Sequence, residues 1–563
     1  MFRYLSYRVT CFAGFSIAFL VFIPQAFGTT YYVSSSTGSN SFSGTDTAHP
    51  WQTVSKVSSP GLAYAAGDSI LFRCGDVWKQ GVGTNFTATL ATPNGGTSAQ
   101  QITYGHYSTS GSCGILPVLD ANGVLAYVIS ISKNFITLDG LQLQNSSSGL
   151  VEFGGSDGIQ LLNLTAKNGG IRGFVARDPT TGSVTIDNLT YSVDAGKHSD
   201  SNIVEIWSDA VGKISVTNSS FDRCSAAGTP AGLAVIVPGG VNTVIQGNVV
   251  HCGAQGLGIK PYQNSAGTKC TTGDPSSGPG LIADNYIDGI SVAGGDGELI
   301  EMEGCPPLNG PLYQHDITIA RNILICKTDV VGVGSSDAIG GYYTNRADIF
   351  GNVLIGGCQS GSTTSSPGMM RLNASSINMH VHNNTLVGAM PAGDTRGQIG
   401  IGFFPGGSGT AENNIIKNVN SGIYVAGAQS GTSNFPAASV VEDYNIFDTD
   451  VTTPYSLGGG TITHATAHSR TNTHPGFVAS TSIATESDVK LRVGALAIGA
   501  GFKLGSPYNL ILDPTAPGVP YNIYDQGTGV WMAGAFGPPA AVVTPVGLSI
   551  VGAKVTGATI IPR

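Results

Sequence analysis

Short segments in which every second residue is apolar recur along most of this chain, and each breaks at a polar corner before an apolar residue resumes. Examples are Ile136-Thr137-Leu138-Asp139-Gly140-Leu141, Ile159-Gln160-Leu161-Leu162-Asn163-Leu164, Val184-Thr185-Ile186-Asp187-Asn188-Leu189 and Ile214-Ser215-Val216-Thr217-Asn218. The series continues through Asn248, Asn285, Asn322, Asn352, Asn384, Asn414 and Asn445, at intervals mostly near 30 residues. Alternation with period two predicts half-buried strands, and a fixed interval predicts a solenoid. The units are too short and too poor in helix formers for helical hairpins, so each reads as a β coil. Stacked coils bring parallel strands ~4.8 Å apart around a continuous apolar interior. Asn at a tight bend satisfies backbone groups and bonds to its counterparts above and below, an amide ladder.

The ends depart from this period. Arg3 and Arg8, the apolar run 11–23 and Ala26-Phe27-Gly28 before Thr29 have the form of a signal peptide over residues 1–28. This predicts a secreted or periplasmic protein with no membrane attachment after cleavage. Residues 29–128, with Tyr31-Tyr32-Val33, Pro50-Trp51 and Gly67-Asp68-Ser69-Ile70-Leu71-Phe72, predict an N-terminal β cap and first coils. Residues 129–450 are the body of the stack, 451–536 its last coils and a C-terminal cap, and 537–563 an apolar tail.

Charge narrows the partners. Of 563 residues only 11% are charged, with formal net charge -9 and pI near 5.5, which leaves no basic surface for nucleic acid. Beyond Cys11 there are eight cysteines, an even count that in an exported chain suggests disulfides. The repeat pairs Cys224 with Cys252 and Cys326 with Cys358. Cys270 with Cys305, and Cys74 with Cys113, complete the set.

The segments 31–78, 140–445 and 497–501 together resemble the right-handed parallel β-helix superfamily, the pectate-lyase-like group of secreted carbohydrate-active enzymes. The resemblance implies an all-β solenoid, capped at both ends, that binds an extended glycan along one strand face with catalytic residues projecting from the central coils. The chain has no Trp-Ile-Asp-His, Gly-His-Gly or Asp-Pro-His-Glu stretch of the kind that marks individual activities in that group.

A strand after each corner supplies the candidate face. Alternation sends Ile206, Val235, Ile259, Met302 and Leu372 inward, and Glu205, Trp207, Lys260, Tyr262, Glu301, Glu303, Arg371 and Asn373 outward. Glu301 and Glu303, two apart on one strand, hold their Cα atoms about 6.5 Å apart, a spacing suited to the acid and base of a glycosidase. Glu205, Trp207, Tyr262, Asn373 and Tyr342 or Tyr343 are candidate sugar contacts. Asp209 and Asp337 read as turn caps, His251 as a local hydrogen-bonding residue, and His380 with His382 as neighbours on one corner strand.

Three readings follow. The first is a monomeric glycoside hydrolase that needs no cofactor and acts on a polysaccharide. The second is a lyase in which Lys260 takes the C5 proton of a uronate neutralised by Arg371, with calcium on Asp296, Glu298 and their neighbours. The third is a non-catalytic glycan-binding or adhesion solenoid.

Overall fold

A computed structural model describes residues 28–539 apart from 82–88, 177–181, 196, 198–201, 207–212, 223–232, 239–241, 254, 261–278, 291–297, 305–313, 328–336, 357–367, 374, 390–396, 431–433, 480, 516–520, 528 and 530. For 233–238, 252–253, 255–260, 290, 314 and 327 the backbone alone is described. The signal-like stretch and the tail beyond 539 lie outside these residues, and among those described no helix is long and apolar enough to cross a membrane.

All but two of the strands form three parallel sheets, each running the length of a right-handed parallel β-helix; Leu510–Leu512 and Ile523–Asp525 pair antiparallel with each other. Sheet I has 15 strands, from Thr30–Val33 to Thr461–His464; sheets II and III have 13 each, from Val77–Lys79 to Ile446–Phe447 and from Leu90–Ala91 to Thr453–Gly458. One coil visits them in that order, as in Ile159–Leu162, Thr165–Lys167 and Phe174–Ala176. Each coil thus holds three strands. The sheet II strands are often only three residues long, as in Thr190–Ser192, so what reads in sequence as a turn after the corner is itself a paired strand. On sheet I the same inward position is filled by Leu161, Ile186 and Val216 in successive coils, and these buried side chains stack rung upon rung.

The corner between sheets I and II carries the expected ladder. Asn248, Asn285, Asn322, Asn352, Asn384, Asn414 and Asn445 are all buried, and in each step the backbone N–H and Nδ2 of one donate to Oδ1 of the next. Each Nδ2 also reaches a strand carbonyl, Asn352 to Ile319 O at 2.9 Å for example. The lower asparagines belong to a different position. Asn163, Asn188 and Asn218 sit one residue earlier in the corner, at φ 53, 54 and 50°. That left-handed bend is one Asn tolerates better than most residues. The interior position beside them is Leu164, Leu189 and Ser219.

Beyond the last strands of the three sheets, the described residues of 477–536 do not continue the stack. Phe477, Leu491, Ala497, Ile511, Met532 and Phe536 pack on Ile323, Val353, Ile415 and their neighbours, the outer face of upper sheet II. Asn383 donates to Met532 O and Asn413 to Phe502 O, which fastens this flank segment to the corner. Cys74 and Cys113 form the disulfide expected of them. Cys326 is disulfide-bonded as well. Cys224, Cys270, Cys305, Cys358 and the side chain of Cys252 lie outside the described residues.

Candidate active site

Parallel pairing in sheet III lines up residues from successive coils. One outward row reads Glu301, Gly340, Arg371, Gly402, Tyr424 and Ser456, in register below with Glu205 through the backbones of Ile236 and Gly258, and the next contains Glu303, Tyr342 and Asn373. Between the rows Met302, Leu372, Phe403 and Val425 are fully buried, so the inward and outward sides follow the alternation read from sequence.

Around the strands Ile300–Glu303, Ile339–Tyr342 and Gly368–Asn373 the outward side is crowded with carboxylates. Glu298 is 1% exposed and Glu301 2%. Gly340 makes this crowding possible, because a Cβ there would stand 2.6 Å from Glu298 Cγ, so the Glu298 side chain lies across that bare rung. The Tyr342 hydroxyl donates to Glu298 Oε1 at 3.2 Å. Burial, together with Glu298, Asp337 and Glu301 nearby, pushes the Tyr342 hydroxyl far up and keeps it a proton donor.

Asp337 enters just before the strand Ile339–Tyr342 and is 1% exposed. Its Oδ1 accepts the Gly368 N–H at 3.2 Å, while Oδ2 has no hydrogen-bond partner among the described residues. Burial raises its carboxyl from 3.8 to about 6, against the opposing pull of the Arg371 charge and the Gly368 N–H. A carboxylic acid that holds its proton up to about pH 6, beside other carboxylates, has the properties of a general acid. The turn-cap reading of Asp337 does not describe this environment.

Arg371 bridges this cluster to open space. Its guanidinium lies over the Phe404 ring at 4.6 Å and lines a groove of about 830 Å³ with Tyr342, Tyr343, Asn373, Phe404 and Tyr424. Tyr343 has φ 48°, and its hydroxyl is pushed up by burial and by Glu303.

The other sequence candidates are placed as follows. Glu303 is half-buried in the row of Tyr342 and Asn373, and both of those line the groove. Glu205 shares the row of Glu301 but stands three rungs lower. It is 2% exposed and paired with Arg172 Nε at 2.7 Å, so its carboxylate is committed within the protein rather than offered to a sugar. The Lys260 backbone follows Ile259, the partner of Met302, while its side chain lies outside the described residues, as do Trp207, Asp209, Tyr262 and Asp296. His251 pairs with Asp288 at 3.2 Å on sheet II. His380 bonds Asp348 on sheet I, where Tyr508 of the flank segment stacks on His382. Neither belongs to the groove. Among the described residues the one trio of potential metal ligands within 4.8 Å is Cys74, His106 and Cys113, two of which form the disulfide. Of the residues in the calcium reading, Glu298 is described and Asp296 lies outside the described residues.

Phe404 and Tyr424 do not stand out in sequence. Gly402 and Gly458, two residues before Phe404 and at the end of the rung above Tyr424, are the local signal that could find them.

No family model matches this chain, and no curated relative does. Solved structures similar to it include a GH136 lacto-N-biosidase from Eubacterium ramulus, 14% identical over 78% of this chain and 67% of that one, with a TM-score of 0.34. A PL6 alginate lyase in complex with a trisaccharide is 13% identical over 91% and 95%, with a TM-score of 0.40. A pectate lyase is 12% identical over 91% and 96%, with a TM-score of 0.35.

Proposed function

We propose that this chain is an exported glycoside hydrolase whose proton donor is Asp337 and whose second carboxylate is Glu301. The observation that carries the reading is the buried Asp337 carboxyl, raised to about 6, with Oδ2 unpartnered among the described residues and Arg371 leading from it to the groove. In this reading Asp337 gives its proton to the glycosidic oxygen as the bond to the anomeric carbon breaks. Water adds to that carbon, and its proton goes to Glu301. Tyr342 holds Glu298 in place through its hydroxyl, and Glu303 stands at the groove edge. Arg371 offsets part of the negative charge that three buried carboxylates concentrate there.

The lyase reading needs a base. Tyr342 is unsuited to that role because its surroundings keep it protonated, which leaves Lys260 with Arg371 as the alternative. Digestion of neutral and uronate-containing polysaccharides separates the readings. New reducing ends without the ultraviolet absorbance of unsaturated uronates support hydrolysis. Both signals together reject it in favour of Lys260, and binding with neither signal favours the adhesion solenoid.

A further inference from the structure

Beyond the acid cluster, the outward row of sheet III alternates side chains with glycines: Glu301, Gly340, Arg371, Gly402, Tyr424. The glycines above Arg371 have aromatic rings lying on them. A Cβ at Gly402 would stand 2.7 Å from Phe404 Cε2, so the Phe404 ring folds back over its own strand. A Cβ at Gly458 would stand 2.3 Å from the Tyr424 hydroxyl and 2.8 Å from Cζ, so the far edge of Tyr424 lies over the next rung. The two ring centroids are 5.6 Å apart at 52°. Any side chain at 402 or 458 would prop these rings away from the sheet.

We propose that Tyr424, laid over Gly458 and braced by Phe404 beneath the Arg371 guanidinium, forms the stacking floor for a neutral pyranose unit of the glycan. The floor lies on the C-terminal side of the acid cluster, about 10 Å along the helix axis from Arg371 to Tyr424 at two rungs. Aromatic faces suit the apolar face of a pyranose, and the amides of Asn373 and Gln429 line the same groove, where they can meet its hydroxyls. The unit is neutral because Arg371 is the one charged side chain among the described groove residues, and its guanidinium is already stacked on Phe404 and opposed to Asp337. The inference rests on the glycan-cleaving reading of the site and adds the ring chemistry and the direction in which the chain extends.

The test uses the full-length protein carrying Glu301→Gln, titrated calorimetrically with cellohexaose, xylohexaose and a hexameric polyuronate. A neutral hexasaccharide is expected to bind. Tyr424→Ala and Gly458→Val should each weaken it about tenfold or more, and Tyr424→Phe should stay within about threefold. Thermal unfolding of each variant identifies any loss due to misfolding. Unchanged affinity in folded Tyr424→Ala and Gly458→Val overturns the proposal, as does binding of the polyuronate alone or of no hexasaccharide. If the affinities follow the expectation while the unaltered chain releases no reducing ends, the floor stands and the hydrolase assignment falls.

Discussion

On sheet II the lower strands Gln142–Gln144, Thr165–Lys167 and Thr190–Ser192 bury only their middle residue, whereas the upper strands Val353–Gly356, Thr385–Gly388 and Ile415–Lys417 are buried throughout. The corner changes over the same span, from Leu141, Leu164 and Leu189 to the asparagine ladder. So does sheet III, where Glu205 is neutralised by Arg172 below and Glu298, Glu301 and Asp337 crowd around Arg371 above. The lower half settles its polar groups within each coil. The upper half takes a second cover and gathers several carboxylates about one arginine, an arrangement that costs stability and makes sense at a working site.

The largest contrast is in activity. Asp337→Asn and Glu301→Gln should each reduce turnover by about 10²–10⁴-fold, while Glu205→Gln leaves the turnover of folded protein within about twofold. Equal losses in initial-rate assays at all three positions would erase the distinction between the two halves of the row. Glu205→Gln should instead lower stability by about 3 kcal/mol, since it leaves Arg172 without its buried partner. Denaturant titration reads this directly, and a cost below about 1 kcal/mol would mean the lower pair is not what holds that coil.

At the corner, Asn352→Ala strips partners from the N–H and Nδ2 of Asn322 and from Ile319 O, and is expected to cost about 2–4 kcal/mol. The exposed Asn188→Ala should cost about 1 kcal/mol or less. Similar values for the two would show that the ladder position is no more demanding than the bend beside it.

A further effect concerns pH. Asp337 holds its proton more tightly folded, near 6, than unfolded, near 3.8. Between those values the unfolded chain loses the proton first, so stability falls as pH rises through the window and stays lower above it, by roughly 2–3 kcal/mol. Asp337→Asn abolishes this dependence and should be the more stable protein at pH 7 though not at pH 4. Melting curves at about these two pH values check it, and a parallel loss at both would place the Asp337 carboxyl in solvent-like surroundings.

Much of the architecture is legible in the residues. Strands such as Ile159–Leu162 announce themselves by alternation, and repetition announces the stack. The asparagines declare themselves as corner residues, but the shift from the bend position of Asn218 to the interior position of Asn248 stays hidden, because both follow a strand in the same way. The site is half visible. Glu301 stands out because its strand alternates with Met302 in between. Asp337 does not, since its companions Glu298, Glu301 and Arg371 arrive from other rungs. Nor does Glu205 differ from Glu301 on paper, for the distinction lies in Arg172, which precedes the strand of the coil below. Likewise the apolar run Ile323-Leu324-Ile325 signals burial on both faces, while the residues that cover it come from the far end of the chain.

That last arrangement sets an order of assembly. A chain emerging from its N-terminus can complete the lower coils as they appear, because each needs only its neighbours. The upper coils expose Ile323, Val353 and Ile415 until residues 477–536 have followed. A chain broken off after the upper coils but before that segment carries a sticky apolar stripe, so the flank acts as an end-of-message seal over coils already made.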